Sequence, residues 1–361
     1  MSEKQARGDD NKKVKVYINM ILTIALIGCI TLFTMFYMNF ENNSADSKIN
    51  NSDKKIANNN ELVQWYLEDS KKNAVYISSD SWGLDVKSAK ENIDVGIKKG
   101  KKIYHPQNST KIAVIDSYID YSLFENSENL LTGDVTNSFI ENSEVKTVSH
   151  GTEMLSILLG SIYFPKYEGI IANTSCYVLG IAAISNNSGE SEILEAIKYA
   201  EKEKADICCM AFDSYIYSEK IYKAMKKSKM LFVVAAGNDG VELGKDILTY
   251  PAMYNVDNMI VVGDERVDGK ISCTSNYSEL YVDILAPGTD ILAINGKDNV
   301  EYCSGTSCAA VITAGVCGIV ASQYGLRGVA LKEYICNNAE KMQNNCVYGK
   351  LTSLDKYLSK R

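Results

Sequence analysis

The stretch SGTSCAAVITAG, residues 304–315, is a turn of small and hydroxyl residues that runs directly into an apolar segment. From Ala309 to Val320 the sequence is apolar on every side, which predicts a helix buried in the middle of the molecule. Ser307 then lies in the first turn of that helix, beside free backbone N–H groups and the positive end of the helix dipole. Its hydroxyl has two interpretations, a helix cap or a nucleophile.

Short apolar runs rich in β-branched residues precede this helix, and helical patterns separate them. The runs are KIAVID (111–116), CYVLGIAAI (176–184), DICCMAF (206–212) and LFVVAAG (231–237). Between the second and third runs, residues 191–204 place Ile193, Ile197 and Ala200 on one helical face. This alternation predicts an α/β domain with a central, mostly parallel sheet.

Three further polar residues are candidates for chemistry. Asp116 closes the first strand, at the carboxyl end where open α/β sheets build their sites, although such an Asp is more often a turn or cap residue. His150 begins the run HGTEMLSILLG, and its alternative role is simply to start a helix. Asn238 follows the last strand, as a turn former or as an amide donor to an oxyanion.

Taken together, these residues resemble the subtilisin-like serine proteases. The matching motifs are VIDSYID with Asp116, SHGT with His150, AAGNDG with Asn238 and SGTSCAA with Ser307, in the order Asp, His, Ser that distinguishes this family. The segments SWGL (81–84), YPA (250–252) and LAPG (285–288) agree with it. The resemblance covers about residues 75 to 340 and implies the three-layer subtilisin-like fold.

The resemblance also implies a role for each residue. Ser307 would attack a peptide carbonyl, His150 would take its proton and pass it to the leaving amine, and Asp116 would hold the imidazole tautomer. Asn238 and the Ser307 N–H would stabilise the oxyanion. The alternative is a catalytically silent subtilisin-like domain used for binding or sensing. Loss of a triad group is the expected mark of such a domain, and none is lost here.

Departures from the family pattern bear on specificity. The substrate-pairing strand usually reads Ser-Leu-Gly, and the matching positions here are Ala211, Phe212 and Asp213. Asp239, directly after the oxyanion Asn, is a second acid near the first specificity pocket. Two carboxylates there would favour Lys or Arg before the scissile bond, unless both are only solvated turn residues. Glu153 stands where a second His commonly follows HGT.

The N-terminal region predicts a membrane anchor. Residues 17–40 carry no charge over the length that a helix needs to cross a bilayer, and the 16 residues before them hold five Lys and Arg. The positive-inside rule then puts the N-terminus in the cytoplasm and the rest outside. A cleaved signal peptide and a lipidated Cys29 are the alternatives, but no small-x-small site follows the apolar core and mostly apolar residues follow Cys29.

Composition divides the remainder and limits its partners. Residues 41–72 are a polar tether and residues 73–361 the peptidase domain. A net charge of −7 gives no sign of a nucleic-acid partner. The chain has only two His, so no zinc site or other cofactor is identified, and structural calcium stays open with its ligands unknown. His105 has no matching role and is interpreted as a loop residue.

Four of the ten cysteines, Cys208, Cys209, Cys308 and Cys317, lie in apolar runs and are interpreted as small packing residues, with disulfides possible and unassigned. An intracellular protease would account for free cysteines but leaves the apolar N-terminal segment unexplained. The sequence therefore favours a serine endopeptidase anchored in the cytoplasmic membrane. Its domain would act outside the cell on a peptide or protein substrate, as a processing enzyme for an exported chain.

Overall fold

The computed structural model describes residues 75–78, 85–88, 95–131, 150–161, 163–164, 167–184, 189–342 and 346–359. The predicted transmembrane segment, the polar tether and the SWGL motif lie outside these residues. The domain boundaries at residues 16, 40 and 72 therefore stay predictions.

The strands and helices are numbered in chain order. The strands are β1 Val75–Ser78, β2 Asp85–Ser88, β3 Thr110–Asp116, β4 Cys176–Ala182, β5 Ile207–Met210, β6 Leu231–Ala235, β7 Met259–Glu265, β8 Ile284–Pro287, β9 Ile291–Gly296, β10 Asn299–Cys303 and β11 Gly349–Lys350. The helices are α1 Ile97–Lys101, α2 His150–Leu159, α3 Glu190–Lys202, α4 Glu219–Lys227, α5 Thr306–Tyr324, α6 Gly328–Asn337 and α7 Leu354–Leu358. All four strands predicted from apolar runs are confirmed, with β4, β5 and β6 ending earlier than the runs do.

Seven strands form one parallel sheet in the order β11-β8-β7-β6-β5-β3-β4. Alternate residues of each strand enter different apolar clusters: Ile112 and Val114 pack with α2 and α5, whereas Ala113 and Ile115 pack with α3 and α4. Burial on both faces explains why these strands read as continuous apolar runs. The result is the predicted three-layer arrangement, with helices on both sides of the sheet.

Helix α5 is the centre of one layer. Its residues are buried on nearly every side, as the all-round apolar sequence predicts. It approaches the sheet closely, because a Cβ at Gly318 would lie 2.6 Å from Ile112 Cδ1. Within the described part of the chain, α5 is the single helix long and apolar enough to cross a membrane. Of its 18-residue apolar stretch, 89% is buried inside the protein. Its length and composition therefore reflect a core position.

The remaining described strands form two small antiparallel pairs, β1 with β2 and β9 with β10. The β9–β10 hairpin leads into α5 through residues 304 and 305, so its last strand ends just before the SGTS turn. On the other side, α2 packs against both β9 and α5. The hairpin and α2 thus flank the turn that carries Ser307.

Candidate active site

Asp116 ends β3 at the carboxyl edge of the sheet. The strand positions before it are buried and apolar, and the Asp116 side chain is itself nearly buried, with the residue 2% exposed. Its Oδ1 accepts hydrogen bonds from the Ser117 N–H at 2.6 Å and from His150 Nδ1 at 2.7 Å. In the neutral imidazole, a carboxylate in this position fixes the proton on Nδ1 and leaves Nε2 free to accept one.

His150 is the first residue of α2, and the start of this helix packs tightly on the turn after β3. The Gly151 N–H donates to Ser117 Oγ at 3.0 Å, and the Asp120 N–H donates to Thr152 Oγ1 at 2.9 Å. A Cβ at Gly151 would lie 2.6 Å from the Ser117 carbonyl oxygen. The HGT sequence is therefore explained: Gly allows the close approach, Thr ties the turn, and the imidazole comes to lie beside Asp116.

The charges around His150 favour its protonated form. Desolvation lowers the pKa of the imidazole, but the charge and hydrogen bond of Asp116, with the charge of Glu153, outweigh it. The pKa of His150 rises to about 9. The carboxylates therefore stabilise an imidazolium, which is the form that general-base catalysis creates during the reaction.

The turn before α5 is fastened to the turn after β6. Asn238 Oδ1 accepts from the Thr306 N–H at 2.9 Å and from Thr306 Oγ1 at 3.1 Å. The Gly237 N–H donates to the same threonine hydroxyl at 3.1 Å. Gly305 has a φ of 148°, in the region that favours glycine, and a Cβ there would lie 3.2 Å from Asn238 Oδ1. The Asn238 carbonyl is thus occupied by the protein, and its amide group remains as a donor.

Ser307 is the second residue of α5, and Gly305 occupies the N-cap position. The capping interpretation of its hydroxyl is therefore wrong, because Ser307 Oγ donates to the Ala211 carbonyl at 2.7 Å. The backbone N–H of Ser307 is among the first of the helix, which have no acceptor within the helix. In this structure the hydroxyl is directed at residue 211, and His150 forms its hydrogen bond with Asp116.

The segment after β5 lies next to the turn after β6. Ala211 is buried, whereas Phe212 and Asp213 are half-buried. A Cβ at Gly237 would lie 3.2 Å from Asp213 Oδ2, and the pKa of Asp213 is raised by desolvation and by the charge of Asp239. The charge of Asp239 therefore acts on Asp213, and a place for both acids in a specificity pocket stays a prediction.

Asp239 is exposed but held in place. Its Oδ1 accepts from the Tyr215 hydroxyl at 2.8 Å, and its Oδ2 accepts from Asn276 Nδ2 at 3.0 Å. The Asp239 N–H donates back to Asn276 Oδ1 at 3.1 Å. The alternative of a merely solvated turn residue does not fit Asp239, since both of its oxygens have protein partners.

Sequence reasoning missed several residues that support this site. They are Thr306, Asn276, Tyr215 and Asp264. Thr306 was visible in the GTS motif, but its bonds to Asn238 were not. Asp264 is buried beside Gly288, whose carbonyl accepts from the Gly305 N–H at 2.8 Å. Burial raises the pKa of Asp264 to about 7. No motif indicated Asn276, Tyr215 or Asp264.

His105 lies in a loop, as predicted, and its backbone N–H donates to Gln323 Oε1 at 2.6 Å. Among the residues that the structure describes, no group of three or more His, Cys, Asp or Glu side chains is arranged to hold a metal ion. A structural calcium ion stays a prediction.

Comparison with known proteins agrees with the fold and the motifs. Residues 107–352 match the family model described as the Subtilase family. Since this match spans more than half of the chain, the chain belongs to the subtilase family. It is a serine peptidase, a hydrolase that acts on peptide bonds.

Individual relatives are distant in sequence. The Thermophilic serine proteinase of Bacillus sp. (strain AK1) is 26% identical over 315 residues, which are 84% of this chain and 74% of that protein. The Prenylagaramide maturation protease PagA has a TM-score of 0.59 at 24% identity, over 73% of this chain and 98% of that one. The epidermin leader peptide processing serine protease EpiP of Staphylococcus aureus has a TM-score of 0.62 at 20% identity, over 73% and 78%. At these identities the two structures show a shared fold.

We expect the His150 imidazole to titrate well above 6.5, toward a pKa of about 9. NMR can follow this directly because the chain has only two histidines, and His105→Gln assigns the other signal. In Asp116→Asn the pKa of His150 should fall to 6.5 or below, because desolvation remains while the attraction is lost. Glu153→Gln should lower it less. A His150 midpoint at or below 6.5 in the unmodified protein would contradict this electrostatic description.

Proposed function

We propose that this serine peptidase cleaves its substrate through a triad of Asp116, His150 and Ser307. The observation that carries the proposal is the 2.7 Å hydrogen bond between Asp116 Oδ1 and His150 Nδ1, formed at the sheet edge where the Asn238 turn also holds the start of α5. In this proposal His150 is the base, Asp116 is its orienting acid, and Ser307 at a helix N-terminus is the nucleophile.

The first step begins with a rotation of the Ser307 side chain. In the free protein its hydroxyl donates to the Ala211 carbonyl, and a turn about the Cα–Cβ bond redirects it to His150 Nε2. Substrate-free active sites often have such loose geometry and tighten only when substrate binds. Pairing of the substrate backbone with residues 211 to 213 would take over the Ala211 carbonyl and release the hydroxyl.

His150 then accepts the hydroxyl proton as Ser307 attacks the scissile carbonyl. The tetrahedral oxyanion receives hydrogen bonds from the Asn238 amide group and from the Ser307 N–H. Collapse breaks the C–N bond, and the imidazolium returns its proton to the leaving amine. Water hydrolyses the acyl-enzyme ester by the same route, with His150 again as the base.

We expect a fluorophosphonate probe to label the unmodified protein and not Ser307→Ala. His150→Ala should slow labelling strongly, since the base is lost. Asn238→Ala should lower kcat about 10²- to 10³-fold by removing one oxyanion donor. Ser304→Ala, three residues earlier in the same turn, is the matched control and should label normally. Labelling that survives in Ser307→Ala would instead favour a silent binding or sensing domain.

We also propose that Asp213 and Asp239 select a basic residue before the scissile bond. Desolvation and mutual repulsion disfavour two nearby carboxylates, and a bound Lys or Arg side chain would relieve both. Asp239 is oriented by Tyr215 and Asn276, and Asp213 is the more buried of the two. Asp213 should therefore contribute more to selection, because solvent screens the exposed Asp239.

Peptide libraries that vary this substrate position test the selection. We expect the unmodified enzyme to prefer Lys and Arg, and Asp213→Asn to lose about tenfold in kcat/KM for basic substrates. Asp239→Asn should lose less, and neither change should impair cleavage after neutral residues. Glu242→Gln is the matched control, since this acid of the same loop pairs with Lys245. A clear preference of the unmodified enzyme for aromatic residues would remove this assignment.

We further propose that the enzyme processes an exported peptide or protein. Residues 17–40 would anchor it in the membrane. The names of PagA and EpiP describe maturation and leader-peptide processing, and this supports a processing enzyme over a bulk degrader. The uncharged segment and its basic N-terminal flank support the anchor and an extracytoplasmic domain.

The exposed thiol of Cys273 reports the orientation. We expect a membrane-impermeant maleimide to label the full chain on intact cells, and Cys273→Ser to abolish most of this labelling. Membrane-permeant maleimide and lysed cells are the controls for total reactive thiol. Labelling that requires lysis would place the domain in the cytoplasm and favour the intracellular alternative.

A further inference from the structure

Two cysteines enclose the turn that carries Ser307. Cys303 is the last residue of β10, and Cys308 is the third residue of α5, directly after Ser307. Their Sγ atoms lie 3.0 Å apart, about 1 Å more than the length of a disulfide bond. In the described part of the chain, these are the two cysteines whose sulfur atoms touch. The interpretation of Cys308 as a packing residue is therefore incomplete.

The two thiols differ in accessibility. Cys303 is half-buried, and its Sγ also lies 3.2 Å from the Ile291 carbonyl of β9. Cys308 is buried, and the pKa of its thiol is raised by the contact with Cys303 and by desolvation. An external reagent would therefore reach Cys303 first, and Cys308 would act as the resolving thiol.

We propose that Cys303 and Cys308 are a redox pair that closes a disulfide across the nucleophile turn. The oxidant is a low-molecular-weight disulfide. The Cys303 thiolate attacks it, forms a mixed disulfide and releases one thiol. Cys308 then attacks Cys303 Sγ, forms the internal bond and releases the second thiol. Two electrons pass to the oxidant, and the two protons leave with the released thiols.

Closing the bond should move the hairpin rather than the nucleophile. Helix α5 is fixed by its buried faces, whereas every residue of β10 is exposed or half-buried. Thr306 is held by Asn238 and Gly237, independently of Cys303. The required movement of about 1 Å therefore falls mainly on Cys303 and Ser304. The disulfide would fasten the β9–β10 hairpin to the first turn of α5 and leave Ser307 in place.

Mass spectrometry of the full chain tests the bond directly. After equilibration with glutathione disulfide and trypsin digestion, the peptide of residues 298–327 holds Cys303, Cys308 and Cys317. We expect it to lose about 2 Da relative to the reduced peptide. Cys303→Ser and Cys308→Ser should abolish this loss. Cys317→Ala, a buried cysteine of the same peptide, is the matched control and should retain it.

Stability and activity give a second readout. Oxidation should raise Tm by roughly 4 to 8 °C in the unmodified chain and not in Cys303→Ser, because the crosslink restrains the unfolded state. The kcat should change little. Glutathione that stays on Cys303 without an internal bond, or a bond that survives in Cys303→Ser, would overturn the proposal. The mass measurement does not depend on activity, so it tests the disulfide independently of the proposed triad.

Discussion

The double hydrogen bond from Thr306 to the Asn238 carbonyl is the contact on which the site depends. It joins the turn before α5 to the turn after β6, and it orients the asparagine with its amide as the remaining donor. Gly305 is required beside it, since a Cβ would crowd the same side chain. One small turn thereby sets the position of the candidate nucleophile, the start of its helix and the candidate oxyanion donor together.

This contact works only because the parallel sheet brings distant segments to one edge. Asp116 ends β3, Ala211 and Asn238 follow β5 and β6, and these strands are neighbours in the sheet. Their carboxyl ends therefore meet, as in other open α/β sheets. Helix α5 packs across the same strands, so its first turn reaches that edge as well. His150 lies on a different helix, α2. Hydrogen bonds to Ser117 and Thr152 hold the start of α2 against the turn after β3.

The sequence could predict the strands and the buried helix because burial on both faces leaves continuous apolar runs. It also puts acids at residues 213 and 239 directly after two predicted strands, and their part in a specificity pocket stays a prediction. It could not predict the direction of the Ser307 hydroxyl, since rotation about one single bond selects between partners with similar hydrogen-bond energies. The contact of Cys303 with Cys308 was equally hidden. It depends on how the hairpin packs against α5, and no local pattern encodes that packing.

The electrostatics of His150 follow from the same geometry. Asp116 is buried and accepts a hydrogen bond from the imidazole, so in the proposed triad it would stabilise the positive charge that develops when the serine loses its proton. That stabilisation is present before the reaction too, which raises the pKa and keeps the free imidazole protonated at neutral pH. Strong support of the transition state thus reduces the fraction of enzyme ready to react at pH 7. The charge of Glu153 moves this balance further toward the protonated form, so the proposed triad would be more active at alkaline pH.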